Sequence, residues 1–408
     1  MIIITNVRIP KQHKLVKAQV VVEKGRISEV LTNGDQVSVP HHAERIDGEG
    51  GVLLPGLVDP HVHVREPGQA YKEDWSSCSR AALKGGFVSI FDMPNNPQPV
   101  ADYASLIHKM NTALEKSYVN FGLYAALTDN NLDVVSEPPL QDAVCGIKVY
   151  LSRTTGDIVV RSENSLEGVF RQGKPVLVHT GGQAGLEKVF YYYRKASRRY
   201  ASLPPLYLCH TSTAHELNLI RKWKKEFHSI VAEATPHHLF LEKSTYRGYP
   251  GVQPPLAARS DVDALWEGIS DGTIDLIGTD HAPHTVEEKT SADPPSGFPG
   301  LETALPLIFE AYRQKRLFLY DLIRLTSTTA GKLFGLGQGG IAAGEAADGV
   351  LLREEECTIG EQPYETRCGW SPFSGWRVTS RPVMTMVNGI MGFHNGTFYR
   401  PKIRYLCK

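Results

Sequence analysis

Short apolar runs alternate with longer amphipathic segments along the middle of the chain. Runs rich in β-branched and other apolar residues predict eight buried strands, at 53–60, 87–92, 120–127, 144–151, 175–179, 206–210, 229–233 and 274–279. Helical periodicity fills several of the gaps, at 102–116, 184–197, 214–227 and 262–270. This alternation predicts an α/β fold, a (β/α)8 TIM-like barrel. A doubly wound open sheet is the alternative, but no Gly-rich fingerprint follows the first strand.

Both ends of the chain are β-rich. Strands are predicted at 2–9, 18–23 and 26–31, and again at 350–353, 383–387 and 390–394, with Asn-Gly turns at 388–389 and 395–396. Short terminal strands are only marginally stable alone. We therefore expect a small composite β-sandwich of residues 1–50 plus 336–408, beside a barrel domain of residues 51–335.

Charge, hydropathy and cysteine content indicate which partners and which cellular location to expect. The 408 residues include 44 basic and 44 acidic side chains, so no net field draws the protein to nucleic acid or a membrane. The chain contains no membrane-length apolar stretch, and its start lacks the pattern of a signal peptide, so we expect a cytoplasmic location. Six scattered cysteines without CxxC spacing favour reduced thiols over a disulfide framework.

The first predicted barrel strand ends in the sequence His61-Val62-His63-Val64-Arg65. Because a strand alternates its faces, His61 and His63 point the same way and can share one metal ion. Such a pair is also common on exposed hairpins. The apolar run before it and the Pro-Gly turn after it favour a buried strand that delivers both histidines to the mouth of the barrel.

Other polar residues occur in or at the end of later strands. They are Lys148 in the fourth strand, His179 after the fifth, His210 after the sixth and Asp280 after the eighth. Barrel enzymes place their chemistry at these C-terminal strand ends. A lone histidine there is more often a hydrogen-bonded core residue. Together with His61 and His63, the set predicts a metal site.

Lys148 is unusual because a buried ammonium is costly and cannot bind a cation. It either pairs with Asp280 as a structural ion pair, or its neutral amine has reacted with carbon dioxide to form an anionic carbamate. Four imidazoles and one aspartate would leave a two-metal site short of negative charge. The bridging carbamate is therefore the better electrostatic answer.

Eight motifs carry a resemblance to a known family. They are HVHVREPG at 61–68, KED at 72–74, DMPN at 92–95, GIKVYL at 146–151, CHTS at 209–212, TPHHLFL at 235–241, GTDHAPHTVEEK at 278–289 and GFPGLET at 297–303. With these motifs the chain resembles the dihydroorotases of the amidohydrolase superfamily, most of all the form found as a domain of the animal multifunctional pyrimidine enzyme. The similarity runs through nearly the whole length.

That resemblance implies interconversion of N-carbamoyl-L-aspartate and (S)-dihydroorotate in de novo pyrimidine (UMP) biosynthesis. It implies two zinc ions per chain, bridged by carboxylated Lys148. The implied ligands are His61, His63, Lys148, His179, His210 and Asp280. Asp280 can also act in catalysis, taking a proton from the attacking water and returning it to the ring nitrogen.

The substrate carboxylate needs a cationic partner. Arg65 is suited to it, since its planar fork can hold a carboxylate through two hydrogen bonds; a salt bridge with Glu66 or Asp74 is the alternative. The resemblance assigns carboxylate binding to Arg65, Asn95 and His284. Gln253 and Gly300 complete the candidate substrate-binding positions.

Three features qualify the resemblance. After His179 the family usually has Ala-Glu, whereas this chain has Thr180-Gly181-Gly182, and Gln253 stands where relatives carry arginine or asparagine. Neither change removes a metal ligand. The segment 152–157 matches a mobile loop that covers substrate, with Thr154 kept and Thr155 in place of an aromatic residue; an inert surface loop is equally compatible with it.

Cys209 and Glu233 lie on adjacent strands near the same rim. A thiolate and a carboxylate there, with one imidazole edge of His61 or His63, predict a possible third zinc site. A packed cysteine beside a hydrogen-bonding Glu233 is the plainer alternative.

Two other functions stay open at this point. One is a related cyclic amidohydrolase such as an allantoinase or hydantoinase, against which Arg65 argues. The other is a non-catalytic dihydroorotase-like partner of aspartate transcarbamoylase, although none of the expected metal ligands is missing. The expected partners are the small-molecule substrate and a second copy in a homo-oligomer (a dimer), with neither nucleic acid nor membrane. Aspartate transcarbamoylase is a further candidate partner.

Overall fold

The computed structural model describes residues 1–32, 43–153, 158–337 and 339–407. Its strands are β1 Ile2–Lys11, β2 Lys14–Glu23, β3 Arg26–Thr32, β4 Glu44–Asp47, β5 Val52–Pro55, β6 Leu57–Val62, β7 Phe87–Asp92, β8 Asn120–Ala126, β9 Gly146–Tyr150, β10 Val176–His179, β11 Leu206–Leu208, β12 Ile230–Ala234, β13 Leu276–Ile277, β14 Gly349–Arg353, β15 Cys357–Thr358, β16 Arg377–Val378, β17 Arg381–Val387, β18 Ile390–His394 and β19 Thr397–Phe398.

The helices lie mainly between the strands of the middle region. They are α1 Trp75–Lys84, α2 Tyr103–Lys116, α3 Leu132–Ser136, α4 Leu140–Ala143, α5 Glu163–Gly168, α6 Gln183–Ser197, α7 Ala214–Lys224, α8 Pro236–Phe240, α9 Arg259–Ser270, α10 Val286–Lys289, α11 Ala304–Arg313, α12 Leu319–Ile323 and α13 Thr329–Leu333, with a 3-10 turn at Val169–Arg171 and a π-helical turn at Arg324–Thr328. Within the described ranges, no helix has the length and apolar character that crossing a membrane requires.

Strands β6 to β13 form the barrel that the sequence predicts. They pair in chain order, and every neighbouring pair is parallel. The last strand returns to the first through a parallel bridge between Val62 and His281, and the His63 amide donates to the His281 carbonyl at 2.8 Å. The strands are buried on both faces, which explains why their sequences are mainly apolar.

The apolar run at 53–60 forms two strands where one was predicted. Gly56 separates β5, which pairs with β1 and β14, from β6, which opens the barrel. A Cβ at Gly56 would lie 2.5 Å from a methyl carbon of Val88, so only glycine lets the chain pass the neighbouring strand here. The strand turns from one sheet to the other at this residue.

Side-chain caps begin several of the barrel helices. Asp74 accepts from the backbone of Ser77 at the start of α1, and Thr213 accepts from Glu216 at the start of α7. Each cap belongs to a reciprocal capping box, which satisfies two amides that the first turn leaves unpaired. These local signals fix where each helix leaves its loop.

Strands from both ends of the chain pair in one nine-stranded sheet. Its order is β19-β18-β17-β14-β5-β1-β2-β3, with β4 beside β1. Strand β5 therefore joins the two ends, and the terminal sheet extends past residue 50. The division into a composite sandwich and a barrel domain stays a prediction.

The C-terminal tail crosses the N-terminal ends of the barrel strands. Tyr405 bridges to Phe121 at the start of β8, and the Leu406 amide donates to the Phe121 carbonyl at 2.9 Å. Cys407 forms a disulfide with Cys145, just before β9. The expectation that all six cysteines are reduced thiols was therefore wrong for this pair. The two cysteines are 262 residues apart, and nothing local in the sequence signals that they meet.

Candidate metal centre and substrate pocket

A polar cavity opens at the C-terminal ends of the barrel strands. It is lined by His61, His63, Arg65, Asn95, Lys148, Tyr150, His179, His210, Val252, Gln253, Asp280, Ala282, Ser296 and Gly297. All six predicted metal ligands are therefore in one place, together with three of the five predicted substrate-binding residues. Parallel strands of a closed barrel bring their ends to one rim, so residues far apart in sequence meet there.

Three of the predicted ligands form a tight group. Asp280 Oδ1 lies 3.2 Å from His61 Nε2 and 3.0 Å from His63 Nε2. The ligand atoms of these three residues all lie within 4.8 Å of one another, and the three side chains are buried. Two imidazoles and one carboxylate at this separation can hold a metal ion.

Hydrogen bonds from behind orient both imidazoles. His61 Nδ1 lies 2.9 Å from Glu233 Oε1, and His63 Nδ1 lies 2.7 Å from Asn95 Oδ1. When Nδ1 donates to these oxygens, the lone pair of each ring is on Nε2, which faces Asp280. Lone pairs that face a carboxylate so closely repel it unless a metal ion or a proton lies between them. This arrangement fits a metal ion and supplies the outer hydrogen bonds that metal-bound histidines usually make.

Without a metal, a proton can take that place at His61. Burial opposes its charged form, but the carboxylates of Glu233 and Asp280 outweigh burial and raise the pKa of His61 well above its usual value. Burial lowers the pKa of His63 to about 4. These two shifts favour a positive charge on His61 over one on His63.

The second pair of histidines lies on the neighbouring strands. His179 Nδ1 lies 2.9 Å from His210 Nε2, and His179 Nε2 lies 2.9 Å from Ser152 Oγ. Burial, with Lys148 nearby, lowers the pKa of His179 to about 3. Burial and His179 lower that of His210 well below its usual range. Both rings are neutral at physiological pH, which is the form that binds metals.

Two of the predicted ligands have a strained backbone. His210 has φ 39° and Asp280 has φ 48°, in the left-handed region that residues other than glycine rarely adopt. Each follows the end of a strand, β11 or β13, so the chain turns sharply there. Strain of this kind is concentrated at functional sites, where the surrounding structure holds it in place.

Lys148 points into the cavity from β9. Its side chain is buried, its Nζ donates to Cys209 Sγ at 2.9 Å, and it lies 5.2 Å from the centre of the Tyr150 ring. In the part of the chain that the structure describes, the ion pairs of Asp280 are with His61 and His63 and none is with Lys148. The buried amine is thus left without the structural carboxylate partner that was one of its two alternatives.

Cys209 and Glu233 have different neighbours. Glu233 accepts from the His210 amide at 2.7 Å and from the Tyr207 hydroxyl, in addition to its contact with His61. Cys209 contacts Lys148 instead. Among the described residues, the side chains whose ligand atoms converge are His61, His63 and Asp280. The third metal site stays a prediction.

Arg65 lies at the edge of the cavity with its guanidinium buried. Its Nε donates to the Pro283 carbonyl at 3.2 Å, and its Nη2 lies 3.0 Å from His284 Nε2. Over the described ranges it forms no ion pair with a carboxylate. The two alternative partners are occupied elsewhere: Glu66 pairs with Lys116, and Asp74 pairs with Arg367.

The remaining predicted substrate residues lie further back. His284 is fully buried behind Arg65, and burial lowers its pKa to about 2. The Gly300 amide donates to His281 Nδ1 at 3.1 Å, behind the rim. Neither residue lines the cavity as described, whereas Gln253 does. Thr154 and Thr155 of the predicted lid lie outside the described residues.

The departure after His179 has a local physical reason. Gly181 has φ 71°, and a Cβ there would lie 2.0 Å from Ser152 Oγ. Ser152 is the residue whose hydroxyl meets His179 Nε2. Glycine at 181 thus leaves room for the hydroxyl that orients a predicted ligand.

Sequence reasoning missed several residues of the cavity. Tyr150 is buried, and its hydroxyl has no hydrogen-bond partner among the described residues. It stands two positions after Lys148 on the same strand, so strand alternation could have placed it on the same face. Ser296 and Gly297 come from a loop. Gly297 opens the motif GFPGLET at 297–303, which was the available signal, whereas no sequence pattern marks Ser296.

Comparisons with known proteins agree with this geometry. Residues 52–391 match the family model described as Amidohydrolase family. The chain is 35% identical over 366 residues to the multifunctional protein pyr1-3 of Dictyostelium discoideum and 33% identical over 379 residues to the multifunctional protein CAD of Squalus acanthias. These matches cover 86% and 90% of this chain but only 15% and 16% of those proteins.

A relative of similar length was also found. The chain is 32% identical over 391 residues to a dihydroorotase of Pyrococcus furiosus, a match that covers 92% of this chain and 89% of that protein. Among solved structures, an L-hydantoinase (dihydropyrimidinase) from Arthrobacter aurescens superposes with a TM-score of 0.89 at 23% identity, covering 100% of this chain and 99% of that one. A D-hydantoinase from a Bacillus sp. gives 0.86 at 20% identity, with coverage of 100% and 99%. These structural likenesses show the fold.

Proposed function

The chain belongs to the amidohydrolase family, and from that membership we propose that it is a zinc-dependent dihydroorotase. It interconverts (S)-dihydroorotate and N-carbamoyl-L-aspartate by opening or closing a cyclic amide, a step of pyrimidine biosynthesis. The similarity to a dihydroorotase over nearly its full length supports this reaction. The cavity chemistry supports it independently.

Arg65 is the observation that carries the substrate assignment. A guanidinium that is only 2% exposed, beside the metal ligands, is costly unless an anion neutralises it. Among the described side chains no carboxylate pairs with it, so its natural partner is an anionic group of the substrate. Dihydroorotate has such a carboxylate, whereas hydantoin and dihydrouracil do not.

The donor set fits metal ions. His61, His63 and Asp280 would hold one zinc ion and His179 and His210 a second, with Lys148 as a bridging ligand. For that role the Lys148 ammonium loses a proton, and its amine then adds carbon dioxide and releases a second proton, giving a carbamate anion. Zinc bound there would polarise the ring carbonyl and make water nucleophilic at neutral pH.

The protein side chains then divide the remaining work. Asp280 takes the proton from the attacking water and delivers it to the ring nitrogen as the carbon–nitrogen bond breaks; ring closure reverses these transfers. Arg65 holds the substrate carboxylate. Asn95 and Gln253 offer amide hydrogen bonds from the cavity wall, and the unpartnered Tyr150 hydroxyl is a further donor to substrate. His284 and Gly300 act from behind this wall.

A direct assay tests the proposal. Purified protein with measured zinc content is given dihydroorotate, N-carbamoyl-L-aspartate, hydantoin and dihydrouracil. We expect turnover of the two carboxylates and little of the neutral rings. Faster turnover of the neutral rings would instead favour a hydantoinase, and zinc binding without any turnover would favour a non-catalytic partner protein.

The same preparation tests the third zinc site. Two zinc ions per chain in the wild type and in Cys209→Ser would leave Cys209 as a packed thiol. Close to three ions, falling to two in Cys209→Ser, would support the third site. The difference depends only on metal content, so it does not require activity.

We also propose that the protein forms a homodimer and associates with aspartate transcarbamoylase, the enzyme that makes N-carbamoyl-L-aspartate. Similarity to parts of two multifunctional proteins supports such an association. Sedimentation of the protein alone, and then with purified aspartate transcarbamoylase, tests both points. A cytoplasmic location stays a prediction.

A further inference from the structure

Lys289 is a buried lysine next to the substrate cavity. It ends α10, and its side chain is 1% exposed. Its Nζ donates three hydrogen bonds, to the carbonyl oxygens of Gly251 at 2.9 Å, Pro295 at 2.8 Å and Gly297 at 3.2 Å. All three donors of the ammonium are thus used on backbone atoms.

These carbonyls belong to two loops that form one wall of the cavity. Gly251 directly precedes Val252 and Gln253, and Gly297 directly follows Ser296, and all but Gly251 line the cavity. The loops also meet directly, since the Gly297 amide donates to the Gly251 carbonyl at 3.0 Å. Lys289 therefore bonds to both sides of the same junction.

The two loops are closely packed where they meet. Gly251 has φ 83°, and a Cβ there would lie 3.3 Å from the Pro295 carbonyl oxygen and 3.4 Å from Lys289 Nζ. The Ser296 carbonyl oxygen also lies 3.0 Å from His284 Nε2. A shift of the first loop would therefore displace Gln253, and a shift of the second would disturb the contact between His284 and Arg65.

The groups around the Lys289 ammonium indicate that it has a structural role. Its Nζ lies 5.3 Å from the centre of the Phe298 ring and 5.8 Å from that of Trp370. In the described parts of the chain, no carboxylate lies within ion-pair distance. Carbonyl oxygens and ring faces replace water around this charge. Burial and the positive charge of Arg65 lower the pKa of Lys289 to about 8, against the opposing effect of Glu288.

We propose that Lys289 is a positioning residue that clips the loops 251–253 and 295–297 together and so sets the substrate-facing wall of the cavity. The residue acts through Gln253, Ser296 and Gly297 and does not itself touch substrate. The effect on substrate rests on the proposed function, whereas the clip itself does not.

Lys289→Met tests the clip, because methionine keeps an unbranched apolar stem and loses all three donors. We expect the KM for dihydroorotate to rise about tenfold or more, with a smaller change in kcat and unchanged zinc content, since the predicted metal ligands lie on or just after the barrel strands and not on these loops. Lys195→Met, which removes an exposed lysine of α6, is the matched control and should leave KM unchanged.

Amide hydrogen exchange gives a readout that does not need activity. In Lys289→Met, residues 250–254 and 294–298 should exchange faster than in the wild type while the barrel strands keep their protection. Should the methionine variant fold poorly, Lys289→Ala with added propylammonium replaces it, and the amine should restore the slow exchange. An unchanged KM with unchanged exchange, or loss of zinc in a folded variant, would overturn the clip. Faster loop exchange in a protein that does not turn over dihydroorotate would overturn the proposed function and leave the clip standing.

Discussion

At the mouth of the barrel, polar side chains face one another across a cavity. Beneath the mouth, aromatic rings pack against one another inside the barrel. Phe91 stacks on Phe334 with their ring centres 4.2 Å apart, and the Tyr124 hydroxyl donates to the Pro60 carbonyl at 3.0 Å. At the mouth, Tyr150 and His210 each keep a buried polar atom without a partner among the described residues. Buried polar atoms without partners cost stability, whereas packed aromatic rings contribute to it.

The largest expected effect removes the bridging ligand at the mouth. Lys148→Ala should lose most of its zinc and essentially all turnover, because the carbamate cannot form. Its free energy of unfolding without metal should not fall, since a buried amine with no carboxylate partner is removed. Zinc analysis, the turnover assay and urea unfolding measure these effects.

Partial rescue of Lys148→Ala by short carboxylic acids would support the carbamate. Wild-type zinc and activity in this variant would rule out a metal-bridging role for Lys148.

A substitution in the aromatic packing should affect stability without affecting metal binding. Phe91→Ala should lower the free energy of unfolding by about 3 to 5 kcal/mol, because a fully buried aromatic ring leaves a cavity. Zinc content and KM of the folded protein should match the wild type. Denaturant unfolding measures the loss, with Phe91→Leu as the milder control. A loss of zinc would show that the mouth and the aromatic packing are coupled.

A smaller effect on substrate binding is expected from Arg65→Lys, which tests the charge of the side chain separately from its geometry. Arg65→Lys keeps the positive charge but loses the planar fork. We expect it to weaken substrate binding by about 2 to 4 kcal/mol, raising the KM for dihydroorotate with little change in zinc content. Initial-rate kinetics measure this. If Arg65→Lys unfolds or loses metal, Arg65 is structural and the carboxylate assignment fails.

The smallest effect is the pH dependence of stability that comes from His237, a buried histidine of α8 whose Nε2 has no hydrogen-bond partner among the described residues. Burial lowers the pKa of His237 well below its usual value in the folded protein. The unfolded chain therefore binds a proton that the folded chain does not, so stability is lost as the pH falls below about 6.5. His237→Gln should flatten this loss by about 1.4 kcal/mol per pH unit at most. Urea unfolding of metal-free protein between pH 7 and pH 5 measures the slope. Equal slopes in the two proteins would contradict the assignment.

The sequence predicts the barrel and the meeting of the candidate ligands at one rim, because both follow from local patterns. The predicted strand 87–92 has its observed bounds, and His61, His63, His179, His210 and Asp280 line one cavity because strand ends meet at one rim. Their role as metal ligands stays a prediction. In a closed barrel, a residue at the end of a strand must lie at the rim, so its position in the sequence predicts its position in the fold. The aromatic packing beneath the rim follows from the same strand alternation.

Contacts between distant loops could not be predicted in this way. The three carbonyls around Lys289, the position of His284 behind Arg65 and the disulfide between Cys145 and Cys407 depend on where irregular segments pass one another. No hydrophobic period marks a lysine that bonds to backbone oxygens. Its burial contradicts the usual exposure of lysine, and only the folded chain shows how that burial is compensated.

The position of β5 between β1 and β14 has a consequence for synthesis of the protein. As the chain leaves the ribosome, β1 and β5 emerge long before β14, and one edge of β5 has no partner until β14 has been made. At about 5 to 20 residues per second, that wait is on the order of tens of seconds. During it the barrel can close while an apolar strand edge is open to other chains. Slow synthesis or a shortage of chaperones should therefore lower the yield of folded protein before any change in its activity is seen.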